Sequence, residues 1–370
     1  MTLSLLHSLG NVSILKILSL IGNFILNQLI LKYNVLLLTL AVLFSPWVVG
    51  KESTGDTLKI IKERGHLICG VSQGLPGFSN TDDQGQWQGL DVDFCRGVAA
   101  AVFADKNKVK FIPLSAKERF TALQSGEIDI LARNTTWTFI RDATLGLDFI
   151  GVFYYDGQGF MVKKDLGVKS VNELGGAIIC TNAGTTTELN IADYFQTHGL
   201  KYQIVTFEKS DETVTAYEAG RCDVFSTDKS GLYSYGLQLK NKKDHVILPE
   251  IISKEPLGPV VRQGDDQWAN IVRWTLFSLI NAEELKLTQA NIKEKLNSQN
   301  PNIQRFVGSQ GAFGQKIGLS NDWAYQIILQ VGNYNDIFDR NLGTQTPLKV
   351  ERGMNRLWTE GGILYAPPLR

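Results

Sequence analysis

The chain has 370 residues, and its 37 Lys and Arg are matched by 37 Asp and Glu, so its formal net charge is zero. That balance argues against a nucleic-acid surface built on excess positive charge, and the apolar and charged fractions, 44% and 20%, are those of a soluble globular protein. The length exceeds one ordinary domain and predicts two compact lobes with appendages.

Met1 to Gly50 contains no acidic residue and only Lys16 and Lys32 as basic ones, and no charge at all interrupts Tyr33 to Val49. Such a stretch is long enough for the apolar core of a signal peptide and marginal for a spanning helix. Residues 1–50 are therefore expected to be a signal peptide, cleaved after Gly50, or an N-terminal membrane anchor. They carry no cysteine for lipid attachment. Export sets how the four cysteines, Cys69, Cys95, Cys180 and Cys222, are read. None has zinc-site spacing, and in an oxidising compartment they allow three pairings. Cys69 with Cys95 and Cys180 with Cys222 is favoured, because each bridge then falls inside one lobe and leaves hinge motion free. Four reduced core cysteines are the alternative.

Thr57 to Arg64 has helical spacing and stops at Gly65, and His66 to Val71 follows as an apolar strand. The next loop, Ser72 to Ser79, is rich in Gly and Pro and includes Leu75 and Phe78. At a strand's carboxyl end it lets backbone approach a ligand. Trp87 to Phe103 opens with a turn and continues as an amphipathic helix, with Asp91 or Asp93 as its expected cap. Val109 to Pro113 reads as a strand, and Ala116 to Gln124 as the helix leading to Gly126-Glu-Ile-Asp-Ile-Leu-Ala-Arg-Asn-Thr-Thr-Trp-Thr-Phe-Ile-Arg141. There a short strand, Ile128 to Leu131, delivers a polar loop bearing Asn134, Thr135, Thr136, Thr138 and Arg141. The planar fork of Arg141 can grip a carboxylate while hydroxyls fill its remaining lone pairs. Taken alone, this window equally fits a surface Arg after a Thr-rich turn.

Asp148 to Val162 is apolar and aromatic and is expected to cross into the second lobe. Gly176 to Cys180 reads as a strand. Gly184 and Thr185 precede a helix through Gln196, with Thr185 and Glu188 in capping-box spacing. That helix start can hold an anion through free N–H groups, with Thr186 beside it. Ile204 to Glu208 is a further strand, Ser210 to Ala219 a helix, and Arg221 to Ser226 the strand that delivers Thr227 and Asp228. Pro249 to Val261 returns the chain to lobe one, giving two crossover strands and hence a hinge. Asp266 to Lys286 is a strongly amphipathic helix whose Trp268, Trp274 and Phe277 belong to the core, and the tail is helical and packs on lobe one.

An internal echo decides how Arg141 is read. Ala122-Leu-Gln-Ser-Gly126-Glu-Ile-Asp129 matches Ala216-Tyr-Glu-Ala-Gly220-Arg-Cys-Asp223, and Asn134 and Asp228 each lie five residues beyond the Asp. Two lobes of like design would bring Arg141 and Asp228 to opposite walls of a cleft. That pair suits a zwitterion, guanidinium to carboxylate and Asp to ammonium.

The segments CGVSQGLPGFS, GLDVDFCRGVAAAVF, ARNTTWTFIRD, GTTTELNIADYF, AGRCDVFSTD and GGILYAPPLR resemble solute-binding protein family 3, the periplasmic binders of polar amino acids. More narrowly, they resemble the general L-amino-acid binding proteins of ABC importers. The resemblance spans Thr57 to Arg370. It implies the α/β, two-lobed type II periplasmic binding fold, with a hinge of two crossover strands and a helical C-terminal extension. The implied division is 51–156 for the first part of lobe one, 157–257 for lobe two, and 258–370 for the return to lobe one and the extension. By the same resemblance Arg141, Thr136 and Thr186 hold the ligand carboxylate, with backbone at the helix start near Gly184. Asn134 stands where Ser is frequent, and Asp228 binds the ammonium. Basic-amino-acid binders carry an acid and two aromatic rings where this chain has Ser72, Leu75 and Ala116, so broad selectivity is expected.

The resulting expectation is an exported, monomeric carrier of L-amino acids that serves ABC permease subunits and their ATPase, with no cofactor, metal or nucleic acid. An amino-acid sensing receptor subunit is the alternative. A small-acid dehydratase is a weaker one, because none of His7, His66, His198 and His245 lies in a proposed ligand loop.

Overall fold

The computed structural model describes residues 56–370, so the expectations for residues 1–50 lie outside the described residues. The strands of the first half are β1 (Leu67–Ser72), β2 (Asn80–Thr81), β3 (Trp87–Gln88), β4 (Val109–Leu114), β5 (Ile130–Leu131), β6 (Leu147–Phe149) and β7 (Tyr154–Asp156). Those that follow are β8 (Gln158–Lys163), β9 (Ile178–Asn182), β10 (Gln203–Phe207), β11 (Val224–Asp228), β12 (His245–Ile247), β13 (Glu255–Leu257) and β14 (Val260–Arg262).

They form two five-stranded sheets of matching plan. The first has the order β4-β1-β5-β14-β6 and the second β10-β9-β11-β8-β12. In each, a central strand (β1 or β9) has a parallel neighbour on either side, and two antiparallel strands complete the far edge. The crossover strands β7 and β13 pair antiparallel, Glu255 opposite Asp156 and Leu257 opposite Tyr154, and carry the chain between the sheets. Two lobes joined by two strands is therefore the architecture.

The repeated grammar of the sequence has a repeated physical cause. The Asp129 carboxylate accepts from the Ile68 N–H at 2.7 Å, and the Asp223 carboxylate accepts from the Ile178 N–H at 2.8 Å. Each Asp also donates its own N–H to the carbonyl of that same residue, at 2.9 Å. Both aspartates thus fasten the start of a strand to its central neighbour, and Arg64 forms an ion pair with the first. The glycines before them, Gly126 at φ 80° and Gly220 at φ 75°, take the left-handed turn that lets the chain leave a helix and enter a strand.

The first lobe's core lies between its sheet and the Leu90–Phe103 and Asp266–Glu284 helices, with the helices Trp323–Val331 and Tyr334–Asn341 packed outside them. Trp268 is 1% exposed, as a core reading of that helix requires, and its indole N–H donates to the Asp129 carbonyl at 3.0 Å. The tail packs on lobe one and reaches the crossover. Asn355 accepts from the Tyr155 N–H at 2.7 Å and donates to the Tyr155 carbonyl at 3.0 Å, completing the free edge of β7.

Several local expectations are corrected. Neither Asp91 nor Asp93 caps the Leu90–Phe103 helix, whose N-cap is Gly89 at φ 130°, where a Cβ would stand 2.1 Å from the Phe78 carbonyl oxygen. Both carboxylates instead reach distant elements. Asp91 accepts from the Asn134 N–H at 3.1 Å, and Asp93 binds Arg340 and Asn341. The helix at Thr186–Thr197 does start after Thr185, but no capping box forms, because the Thr185 hydroxyl donates to the Asn182 carbonyl at 2.7 Å. Ala116 stays in the turn before the Arg119–Ser125 helix, and the β2–β3 hairpin has no counterpart in the sequence reading.

The disulfides are Cys69–Cys95 and Cys180–Cys222, with Cα separations of 6.4 and 5.7 Å. Each fastens a central strand to a neighbouring segment of its own lobe. Cross-links closing loops of this size stabilise a fold by about 3–4 kcal/mol each on the chain-entropy view. Replacing either cysteine pair by Ala is expected to lower the unfolding free energy read from urea denaturation by that order, with a lower midpoint, and the two losses should add, since the bridges share no partner. An unchanged midpoint in either double variant would contradict a structural role for that bridge.

Candidate ligand-binding cleft

Strand ends build the cleft. β1 ends at Ser72, and β5 runs on into Arg133, Asn134 and Thr136. From the other lobe, β9 ends at Asn182, β11 ends at Asp228, and Thr186 opens its helix. All of these are carboxyl ends of strands or the helix start that follows one, where open α/β sheets place their ligands. The echoed positions meet across the gap, with the Asn134 amide donating to Asp228 at 3.4 Å. Asn134 holds a left-handed backbone at φ 34°, and Asp91 fixes it there through its N–H.

Of the sequence-derived residues, Ser72, Asn134, Thr136, Thr186 and Asp228 line one cavity. Arg141 stands immediately behind them. It is 8% exposed, donates from Nη1 to the Thr136 carbonyl at 2.9 Å, and lies 5.2 Å from the Phe120 ring centre. Burial brings its pKa down to about 10, against the pull of Glu255 and Asp228. Four expectations are corrected. Leu75 and Phe78 are 2% and 1% exposed and belong to the lobe-one core, where Phe78 packs edge-on against Tyr154. Ala116 is buried outside the lining, and exposed Gly184 meets Lys117 of the other lobe at the rim. In that loop a Cβ on Gly77, at φ 84°, would stand 2.4 Å from Leu348 and 2.6 Å from Leu342, and the Pro76 carbonyl accepts from the Ser234 hydroxyl of the other lobe at 2.7 Å.

Three residues that organise the cleft are absent from the sequence reading. Arg119 and Arg133, 3% and 8% exposed, line the cavity from lobe one. Arg119 had a signal, a charge at the same face as Ala122 and Leu123 three and four residues on, where a core-facing helix is apolar. Arg133 could have been read from its place beside Asn134. Glu255, on β13, had none. It is 1% exposed, and its carboxylate accepts from the hydroxyls of Thr136 (2.6 Å), Thr186 (3.0 Å) and Ser253 (2.6 Å) and from the Asn190 amide (2.7 Å). One crossover carboxylate thus engages both lobes.

The charge pattern is set by burial. Desolvation lifts Asp228 well above the usual carboxylate range, and nearby Asp156 and Glu255 add to the shift. Asp156 itself is raised to about 6 by burial, with Glu255 adding a smaller push. Arg119 is held well below the ordinary Arg value by burial and by its neighbours Arg141 and Arg133. The cavity measures about 30 Å³, room for one or two waters, so an organic ligand enters only if the lobes part. A buried acid facing buried guanidiniums, inside a cleft between two lobes joined by two strands, defines a protein built to enclose a small charged solute.

The comparisons with known proteins give that class its family. Residues 67–292 match the profile of the bacterial extracellular solute-binding proteins, family 3, and the chain belongs to that family. It is 60% identical to the general L-amino acid-binding periplasmic protein AapJ of Rhizobium johnstonii, over 87% of this chain and 95% of that protein. It is 52% identical to the glutamate/glutamine/aspartate/asparagine-binding protein BztA of Rhodobacter capsulatus, over 87% and 96%. Among solved structures, a periplasmic binding protein from Brucella ovis with glutathione bound superposes with a TM-score of 0.84 at 55% identity, covering 85% of this chain and all of that one. Like these relatives, the chain has the type II periplasmic binding fold. No helix among the described residues is long and apolar enough to cross a membrane.

Two outcomes follow from the geometry. Glu255→Ala leaves the buried Thr136 hydroxyl and three half-buried donors, on Thr186, Asn190 and Ser253, without their acceptor and is expected to lower the unfolding free energy by about 1–3 kcal/mol, read from urea denaturation; an unchanged midpoint would mean the four bonds carry no net stability. Burial lifts Asp91 from the ordinary 3.8 to about 7, against the Asn134 N–H and Arg133, so the folded state takes up a proton. Its favourable contribution is complete below the ordinary value and is lost as pH rises towards 7. Asp91→Asn keeps an acceptor for the Asn134 N–H and should raise the melting temperature at pH 8 but not at pH 4. Equal shifts at both would contradict the assignment.

Proposed function

We propose that the protein is the extracytoplasmic carrier of an ABC importer, capturing L-amino acids of broad range between its lobes and delivering them to the permease subunits and their ATPase. The observation that carries this reading is the pairing of buried Asp228 on one wall with buried guanidiniums on the other, the two poles a zwitterion needs. An amino acid can be stripped of water only where each charged end meets a partner, since an unpaired buried charge costs several kcal/mol. The ligand ammonium takes Asp228 and returns it to its charged form. The ligand carboxylate takes the Arg141 side of the cleft with Asn134, Thr136 and Thr186, whose two hydroxyls in this conformation donate to Glu255. Opening therefore exchanges an internal carboxylate for that of the solute.

The names of the relatives support an amino-acid ligand. The carrier acts as a monomer, and the apolar Tyr33–Val49 stretch serves its export or tethers it at the membrane surface. No catalytic step is assigned, because His66, His198 and His245 stand apart from the cavity lining.

The test is titration calorimetry of the purified protein with a panel of L- and D-amino acids. Dissociation constants near 1 μM, about 8 kcal/mol, suit such a carrier. A ligand at a hundred times its dissociation constant should stabilise the fold by about 2.7 kcal/mol. Arg141→Ala is expected to abolish binding of every amino acid that the parent takes. Retention of near-parental affinity would overturn the role of Arg141, and a parent that binds no amino acid would overturn the function.

A further inference from the structure

Glu255 already engages the side chains that are to receive the solute's carboxylate. It accepts from the hydroxyls of Thr136 at 2.6 Å and Thr186 at 3.0 Å, and its charge supports the charged form of Arg141. A hydroxyl has one proton to donate, so neither Thr can serve Glu255 and a solute at once. The helix Thr186–Thr197 extends the likeness. Its N-cap, Thr185, gives the first turn no side-chain acceptor, and a helix start draws anions. The carboxylate drawn here is that of Glu255, through Thr186 at the first helical position and Asn190, 2.7 Å away, one turn on. Glu255 is itself fastened to lobe one. Thr136 and Leu257 form an antiparallel bridge, in which the Trp137 N–H donates to the Pro256 carbonyl at 2.8 Å and the Gly258 N–H to the Thr135 carbonyl at 3.0 Å. Separation of the lobes therefore breaks the bonds to Thr186 and Asn190 first, because they join side chains alone.

We infer, on the basis of the proposed function, that Glu255 is a built-in surrogate for the solute's carboxylate: a latch that closes the empty cleft and must release lobe two before an amino acid enters. Glu255 is a positioning residue, acting on the solute through the two hydroxyls whose protons it holds. The closed, empty form gains the bonds that cross to lobe two, and the apparent affinity for any amino acid falls with the fraction of molecules left open to receive it. The latch thereby sets a threshold. A solute displaces it only by offering more than the carboxylate it replaces, and the ammonium that pairs with buried Asp228 is that surplus.

The sign of one substitution tests this. Removing a solute contact or a purely structural residue weakens binding, whereas removing a competitor strengthens it. Glu255→Gln keeps the size of the side chain and deletes the charge. With L-glutamine and L-alanine as solutes, calorimetry is expected to show about tenfold tighter binding in Glu255→Gln, the weight of one charge-assisted hydrogen bond, and stopped-flow fluorescence a faster association. By small-angle scattering the solute-free parent should be as compact as the solute-saturated protein, and solute-free Glu255→Gln should be expanded and contract when glutamine is added. Affinity that is unchanged or weaker in Glu255→Gln, or a solute-free parent as expanded as the variant, overturns the latch while leaving the carrier function standing. A parent that binds neither amino acid overturns the carrier function, and the scattering comparison still decides the latch. Should Glu255→Gln fail to fold, Asn190→Ala removes one of the two lobe-two bonds without touching a proposed solute contact. It is expected to move affinity and scattering in the same direction, and no movement in either overturns the latch.

Discussion

The Glu255 carboxylate is the constraint on which the cleft depends, because it accepts from Thr136 of one lobe, from Thr186 and Asn190 of the other, and from Ser253 on the segment between them. A buried carboxylate with four donors is a satisfied one, and satisfaction here requires the two walls to stand at hydrogen-bonding distance. The neighbouring contacts, Asn134 to Asp228 and Thr136 to Thr186, are longer at 3.4 Å each and follow from it. The closed arrangement is thus held by the same class of group, a carboxylate, that the cleft is proposed to receive.

Much of this was legible before any coordinates. Hydrophobic periodicity placed the principal strands and helices, and the repeated Gly and Asp placements disclosed two lobes. The cysteine pairing followed from requiring each bridge to stay within a lobe. The echo proved more literal than its use as an analogy: Asp129 and Asp223 make the same pair of bonds to the same point of their sheets. Five of the ligand residues named from sequence converge on one cavity. What failed shares a cause. Phe78 was assigned from its loop's place at a strand end and Leu75 from that and the family resemblance, yet such a loop has two faces, and theirs is the core. Thr185 and Asp91 fit local capping patterns but found better partners in Asn182 and Asn134, so tertiary bonds displaced local ones. Glu255 was invisible because its four partners are scattered along the chain, and no local spacing reports such a knot.

The balance of charge in the cleft also shows how a molecule of zero net charge can hold strong local fields. Lobe one contributes guanidiniums, lobe two contributes Asp228, and burial weakens the preference of each for its charged form. On the proposed function, a solute that brings both signs would restore those charges on both sides at once. Affinity then comes from relieving groups already stripped of water, rather than from stripping new ones.

The hold of Asn355 on Tyr155 spans 200 residues and completes the free edge of a crossover strand. Chains are synthesised from the amino end, and domains fold as their segments become available. The first lobe's sheet is itself finished only by β14, and its joint to the second only by residues fifteen places from the carboxyl terminus. The order of assembly is therefore dictated from the tail: a growing chain can form its second lobe as a self-contained piece, whereas the joint between the two lobes is completed last. A chain cut short by a few dozen residues would keep every residue that lines the cleft and lose the strap that completes the edge of its crossover strand.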